Sequence, residues 1–174
     1  KPFQKIANKS NKYIFKCFDI AIKLIKKKQV LGLINCPVVK NFLFHNKNHG
    51  ITEYLAKKSD VQGNEVMLMY NKKLSVSPLT THLPLNQISK KITKTAIIKK
   101  VKIINNFYKK SFNKYPKIAV LGLNPHNFSP KKKSEEKKII SPAIKSIKRQ
   151  GFKITGPISP DTSFMIYEKY KFDV

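Results

Sequence analysis

The sequence predicts an α/β protein with an open mixed sheet and flanking helices. Three observations carry that reading. Short β-type apolar runs alternate with helical patterns along the 174 residues. Hydrophobic residues make up 41% of the chain, enough for a packed core and too much for a disordered tail. Glycine and proline punctuate the runs where strands should stop, as at Pro37, Gly122 and Gly156-Pro157.

The elements follow in order. Ser10 is placed as the cap of a helix reaching about Lys28, with Ile14, Cys17, Phe18, Ala21, Leu24 and Ile25 on one face. Val30 to Ile34 reads as a buried strand ended by Asn35-Cys36-Pro37. A polar loop through His45 and His49 leads to a short helix opened by Thr52 and Glu53. Glu65 to Tyr70 and Leu74 to Leu79 read as two strands joined by the short Asn71-Lys72-Lys73 turn. The clearest helix runs from about Thr93 to Lys110, with Ile97, Val101, Ile104, Tyr108 and Phe112 as its apolar stripe. A strand over Lys117 to Leu121 follows, then a lysine-rich loop from Phe128 to Lys133. The next helix spans about Glu135 to Gln150, with Pro142 forcing a kink or a restart capped by Ser141. Phe152 to Thr155 is a further strand, and about Asp161 to Tyr170 a last short helix.

The charge is extreme, with 36 lysines and arginines against 9 acids and a formal net charge of +27. This invites a nucleic-acid reading. Two features count against it: Arg149 is the sole arginine, and the lysines are spread over every segment instead of forming one stripe. The abundance of Lys, Asn, Ile, Phe and Tyr is what AT-rich codons produce. Cys17 and Cys36 lack metal-ligand spacing and read as small buried thiols in a reducing cytoplasm. No secretory signal is visible, and no apolar run is long enough to span a bilayer.

The chemistry of the chain concentrates in two histidines. His82 follows the run Leu74 to Leu79, and His126 follows Ile118 to Leu121, each after a short turn. In an open α/β sheet, ligands bind at the edge where strand carboxyl ends meet. Two imidazoles brought there from neighbouring strands make a candidate metal site, with Asp161 as a source of oxygen. Each histidine by itself reads more readily as an ordinary loop residue, and it is their equivalent places after two strands that raise the metal reading beside it. No nucleotide-binding G-x-G-x-x-G or G-x-x-x-x-G-K-[ST] loop occurs, and no G-x-S-x-G. Lys40, after Pro37-Val38-Val39, is placed to reach an anion from a strand end, or is one more solvated lysine.

Several of these segments occur together in one known family. Pro37 and Lys40 resemble its G-P-x-x-K segment, and Gly50 with Thr52-Glu53 its G-H-T-E segment. Thr80-Thr81-His82-Leu83-Pro84-Leu85, Gly122-Leu123-Asn124-Pro125-His126 and Gly156-Pro157 to Pro160-Asp161-Thr162 follow in the family's order. The set resembles the 4-hydroxythreonine-4-phosphate dehydrogenases of vitamin B6 biosynthesis. The resemblance implies a two-domain fold related to isocitrate and isopropylmalate dehydrogenases, of which residues 1–174 form the central part, incomplete at both ends. It implies a cytoplasmic homodimer without nucleic acid or membrane partners. It implies NAD-dependent oxidation and decarboxylation of 4-phosphooxy-threonine to 3-amino-2-oxopropyl phosphate, assisted by zinc, magnesium or cobalt.

Carried onto this chain, the resemblance makes His82 and His126 two of three metal ligands. It makes Thr52 and Lys40 contacts to the phosphorylated amino-acid substrate, and Asp161 a supporting hydrogen-bonding residue. It assigns no catalytic proton donor. Two departures stand out. Ile51 occupies the place of the family's substrate-contacting histidine, and isoleucine neither hydrogen-bonds nor carries a proton. Asn127 to Lys133 replace a glycine-rich loop, and the Y-H-D-Q-G segment bearing the third metal histidine is not in the sequence. Incomplete metal coordination and weak activity are therefore expected. The rivals are a catalytically dead remnant that keeps the fold and a basic nucleic-acid binding module.

Overall fold

The computed structural model describes residues 8–39, 43, 50–127 and 134–174. The chain divides into two compact units, Lys1–Glu65 and Val66–Val174.

The first unit contains helices α1 (Asn8–Lys26) and α2 (Ile51–Lys58). Phe15 and Phe18 of α1 meet the Tyr54 ring of α2 at centroid distances of 5.2 and 5.7 Å. Exposed ion pairs, Lys58 with Asp19 and Lys26 with Asp60, border this contact. The predicted stripe on α1 holds at Phe18, which Ile22, outside the prediction, joins in burial, but not at Cys17, which is exposed. The helix turns about 100° per residue, so a buried Phe18 carries its neighbour out of the contact. Ser10 lies inside α1 and is not its cap.

The strand expected at 30–34 is absent. Residues 32–39 have no regular structure, Leu31 and Ile34 are fully exposed, and Cys36 is exposed as well. Apolar character states a demand for burial. A strand also needs an edge to bond with, and among the described residues of this unit there is none.

The second unit is the α/β body. Helices α3 (Leu85–Lys91) and α4 (Lys94–Phe112) precede strand β1 (Ile118–Leu121). A π-helix over Glu136–Ile140 runs directly into α5 (Ser141–Lys148). Strand β2 (Ile154–Ile158) and helix α6 (Ser163–Tyr170) complete it. Strands β1 and β2 pair in parallel, Ile118 opposite Ile154, with an irregularity between Ala119 and Leu121. Beyond β1 the hydrogen bonding continues in sheet-like fashion. The Asp173 N–H donates to Lys117 O, the Ala119 N–H to Val174 O, and the Ser75 N–H to Asp173 O. Met69 and Val76 then exchange two antiparallel bonds of 2.8 and 3.0 Å. The two predicted strands at 65–79 are thus reduced to a single bridge.

The core lies on α4 and α5. Ile97, Val101, Ile104 and Tyr108 on α4 face Ala143, Ile144 and Ile147 on α5, with Ile118 and Ile154 beneath. Thr93 caps α4 by accepting from the Ala96 N–H, and Asn113 ends it in the left-handed conformation. Ser141 makes no cap bond. Pro142 falls in the first turn of α5, directly after the π-helix, a position where proline is tolerated. Among the described residues, no helix is long and apolar enough to cross a membrane.

Candidate metal site

Both histidine loops begin at the same cavity in the second unit. Leu79 and Thr80, just before His82, and Gly122 and Leu123, just before His126, line a largely apolar cavity of about 380 Å³. Its walls come from α4, β1 and α6, with Ile104, Val120 and Tyr167 among them.

The two histidines share an uncommon backbone. His82 has φ 55° and His126 has φ 54° and ψ 15°, both left-handed, and Asn127 follows at φ 51°. Such residues cost roughly 1–3 kcal/mol and persist where surrounding bonds hold them. Both side chains are exposed, His126 to 76%.

His126 is oriented by Asp161. Its Nδ1 lies 2.5 Å from Asp161 Oδ2, and the Ser159 hydroxyl donates to Asp161 Oδ1 at 2.6 Å. Ser159 is the main influence holding the Asp161 carboxyl below its ordinary range, with the His126 charge a lesser one. An imidazole whose Nδ1 is engaged by a carboxylate presents Nε2 outward, the arrangement in which histidines bind metals. The donor set suits a divalent cation but is partial. Among the described residues, no three His, Cys, Asp or Glu side chains group together.

Sequence reasoning missed Glu136 and Lys100. Glu136 is only 3% exposed, yet its Oε1 accepts from the backbone N–H groups of Leu123 and Asn124, each at 2.9 Å, and from Asn124 Nδ2 at 3.1 Å. Burial pushes this carboxyl up, but the Asn124 and Leu123 donors outweigh it and leave it below the usual range. Lys100 of α4 donates to Pro78 O at 2.6 Å and Leu79 O at 3.1 Å. Nothing in the local pattern marked either, because their partners lie 12 to 22 residues away.

The other expected residues are dispersed. Thr52 is exposed in the first turn of α2, beside half-buried Ile51, in the first unit. Lys40, His45, His49 and the loop 128–133 lie outside the described residues.

An α/β body with parallel β1 and β2, and histidines on the loops after Leu79 and Leu121, defines a protein of the α/β class. The chain belongs to the family described as pyridoxal phosphate biosynthetic protein PdxA, whose pattern it matches over residues 2–174. It is 40% identical over 154 residues to a 4-hydroxythreonine-4-phosphate dehydrogenase of Sulfurihydrogenibium, covering 86% of this chain and 48% of that protein. A namesake from Aquifex aeolicus is 41% identical over 140 residues, covering 77% of this chain and 42% of that protein. The crystal structure of the Klebsiella pneumoniae 4-hydroxythreonine-4-phosphate dehydrogenase superposes with a TM-score of 0.81 at 28% identity, covering 93% of this chain and 50% of that one. The chain spans about half the length of the curated relatives it matches.

Proposed function

We propose that this chain contributes the central part of a 4-hydroxythreonine-4-phosphate dehydrogenase, oxidising and decarboxylating 4-phosphooxy-threonine with NAD in vitamin B6 biosynthesis. The observation that carries the reading is the His126–Asp161 pair, a carboxylate-oriented imidazole on a loop whose first residues, Gly122 and Leu123, line the same cavity as Leu79 and Thr80 ahead of His82. A Pectobacterium atrosepticum relative, 29% identical over 164 residues, is named a D-threonate 4-phosphate dehydrogenase. Both names describe a four-carbon hydroxy acid phosphorylated at position 4, which supports that substrate class.

In this reading His82 and His126 hold a divalent cation, zinc, magnesium or cobalt, and Asp161 fixes the His126 tautomer. A cation there would polarise the substrate oxygen during oxidation and carbon dioxide loss. Thr52 and Lys40 contact the substrate, and the cytoplasmic enzyme works as a homodimer related in fold to isocitrate and isopropylmalate dehydrogenases. Ile51 favours a second reading, a member that retains metal binding but turns over slowly or not at all, because a side chain without donors cannot replace an imidazole at the substrate.

Titration calorimetry with zinc tests the site. Binding that disappears in both His82→Ala and His126→Ala supports it. No binding, or binding indifferent to both changes, refutes it. Following NADH formation from 4-phosphooxy-threonine in the native protein and in Ile51→His separates the two readings. Turnover by the native protein supports the enzyme, and turnover restored only by Ile51→His supports the impaired member.

A further inference from the structure

The loops that carry His82 and His126 are each held from inside by one long charged side chain. Lys100, half-buried on α4, places its ammonium between the carbonyl oxygens of Pro78 and Leu79. Glu136, buried on the π-helix, places its carboxylate against the N–H groups of Leu123 and Asn124 and the Asn124 side chain. The signs are matched to the groups available. The first stem offers acceptors and receives a cation, while the second offers donors and receives an anion.

Both anchors grip main-chain groups two to four residues before a histidine with a left-handed backbone. A strained conformation needs neighbours that over-determine it, and charge-assisted bonds to the main chain are the strong means of doing so. The His126 loop has a further tie, since Asn127 Nδ2 donates to Pro157 O at 3.0 Å and so joins the loop to β2. Gly122, beneath that loop, packs so closely against Asn127 and Glu136 that a Cβ there would strike the Asn127 side chain. A π-helix is rare, and such turns occur often at functional sites. Here the π-helix is the segment that presents Glu136 to the loop.

We propose that Lys100 and Glu136 are positioning residues that preset the two histidine loops for the cation. The inference rests on the metal reading of His82 and His126 and adds the residues that hold those histidines in place. Neither side chain is required to touch the cation, so each acts through the main chain of its loop.

The test compares zinc affinity in the native protein, Glu136→Gln and Lys100→Met by calorimetry, at a temperature where circular dichroism shows all three folded. Loss of an outer partner typically weakens metal binding about 10- to 100-fold. A fall of at least about tenfold in both variants is expected, together with faster hydrogen exchange at the Leu123 and Asn124 amides in Glu136→Gln. A role confined to stability would lower the melting temperature and leave the affinity of the folded protein alone. Native-like affinity in either folded variant overturns the assignment of that residue while leaving the metal site standing. Absence of zinc binding in the native protein overturns both. Should Glu136→Gln fail to fold, Asn124→Ala, which removes only the side-chain donor to the carboxylate, is expected to weaken zinc binding to a smaller degree, and native-like affinity in it counts against Glu136.

Discussion

Gly156 is where the geometry of the sheet bears most directly on the histidine loop. Its φ is +140°, a region that L side chains rarely enter, and a Cβ there would run into the main-chain oxygen of Val120. Gly156→Ala therefore carries two costs. The backbone conformation costs an alanine roughly 1–3 kcal/mol. Relieving the collision requires β2 to move away from β1, which strains the Gly122 N–H bond to Ile158 O at 2.8 Å and the Asn127 bond to Pro157 O. Each such bond contributes about 0.5–1.5 kcal/mol. The sum is about 4 kcal/mol, or a urea midpoint lower by about 2.7 M at a slope near 1.5 kcal/mol/M. Gly151 is the control in the same unit. Its φ is +84°, but a Cβ there meets nothing within 4 Å. Gly151→Ala should cost only the conformational part, about 1 kcal/mol. Urea unfolding followed by circular dichroism measures both. If Gly156→Ala is no more destabilising than Gly151→Ala, the close approach of β2 to Val120 is refuted.

Tyr108→Phe removes the hydroxyl that donates to Ser75 Oγ at 2.9 Å and should cost about 1 kcal/mol in thermal unfolding; no measurable change would dismiss that bond. The lowered Glu136 carboxyl stabilises the fold above the ordinary carboxyl range near pH 4.3, and this contribution fades as the pH falls through the folded value, because the unfolded chain takes up the proton first. Unfolding measured between pH 3 and 6 should therefore show a shallower acid limb in Glu136→Gln, and an unchanged limb contradicts the argument. At His126, glycine relieves the left-handed backbone and alanine does not. His126→Gly should exceed His126→Ala in stability by about 0.5–1 kcal/mol, and the reverse order of melting temperatures would contradict it.

Local pattern was sufficient for the long helices, which satisfy their own hydrogen bonds. Helix α4 begins at its Thr93 cap and buries Ile97, Val101, Ile104 and Tyr108 as the 3.6-residue period requires. Strand β1 was legible as an apolar run closed at Gly122, but β2 only in part: it was expected over 152–155 with a stop at Gly156-Pro157, and it runs from Ile154 through both residues to Ile158. The short helix α3 escaped notice because its apolar residues are few, although Pro84 marks its start. The ordered motifs around His82, His126 and Asp161 identified the family from residue identity and spacing alone.

Whatever depends on partners distant in the chain had to await the folded structure. Val30 to Ile34 has the composition of a buried strand, but hydrogen bonds between strands are made with an edge that composition does not name. Pairing of His126 with Asp161 across 35 positions, and the grip of Glu136 and Lys100 on the two loop stems, are likewise matters of three-dimensional approach. Charge on a side chain shows what it can bind. Only the packing of α4, the π-helix and β2 selects which carbonyl, amide or imidazole it meets.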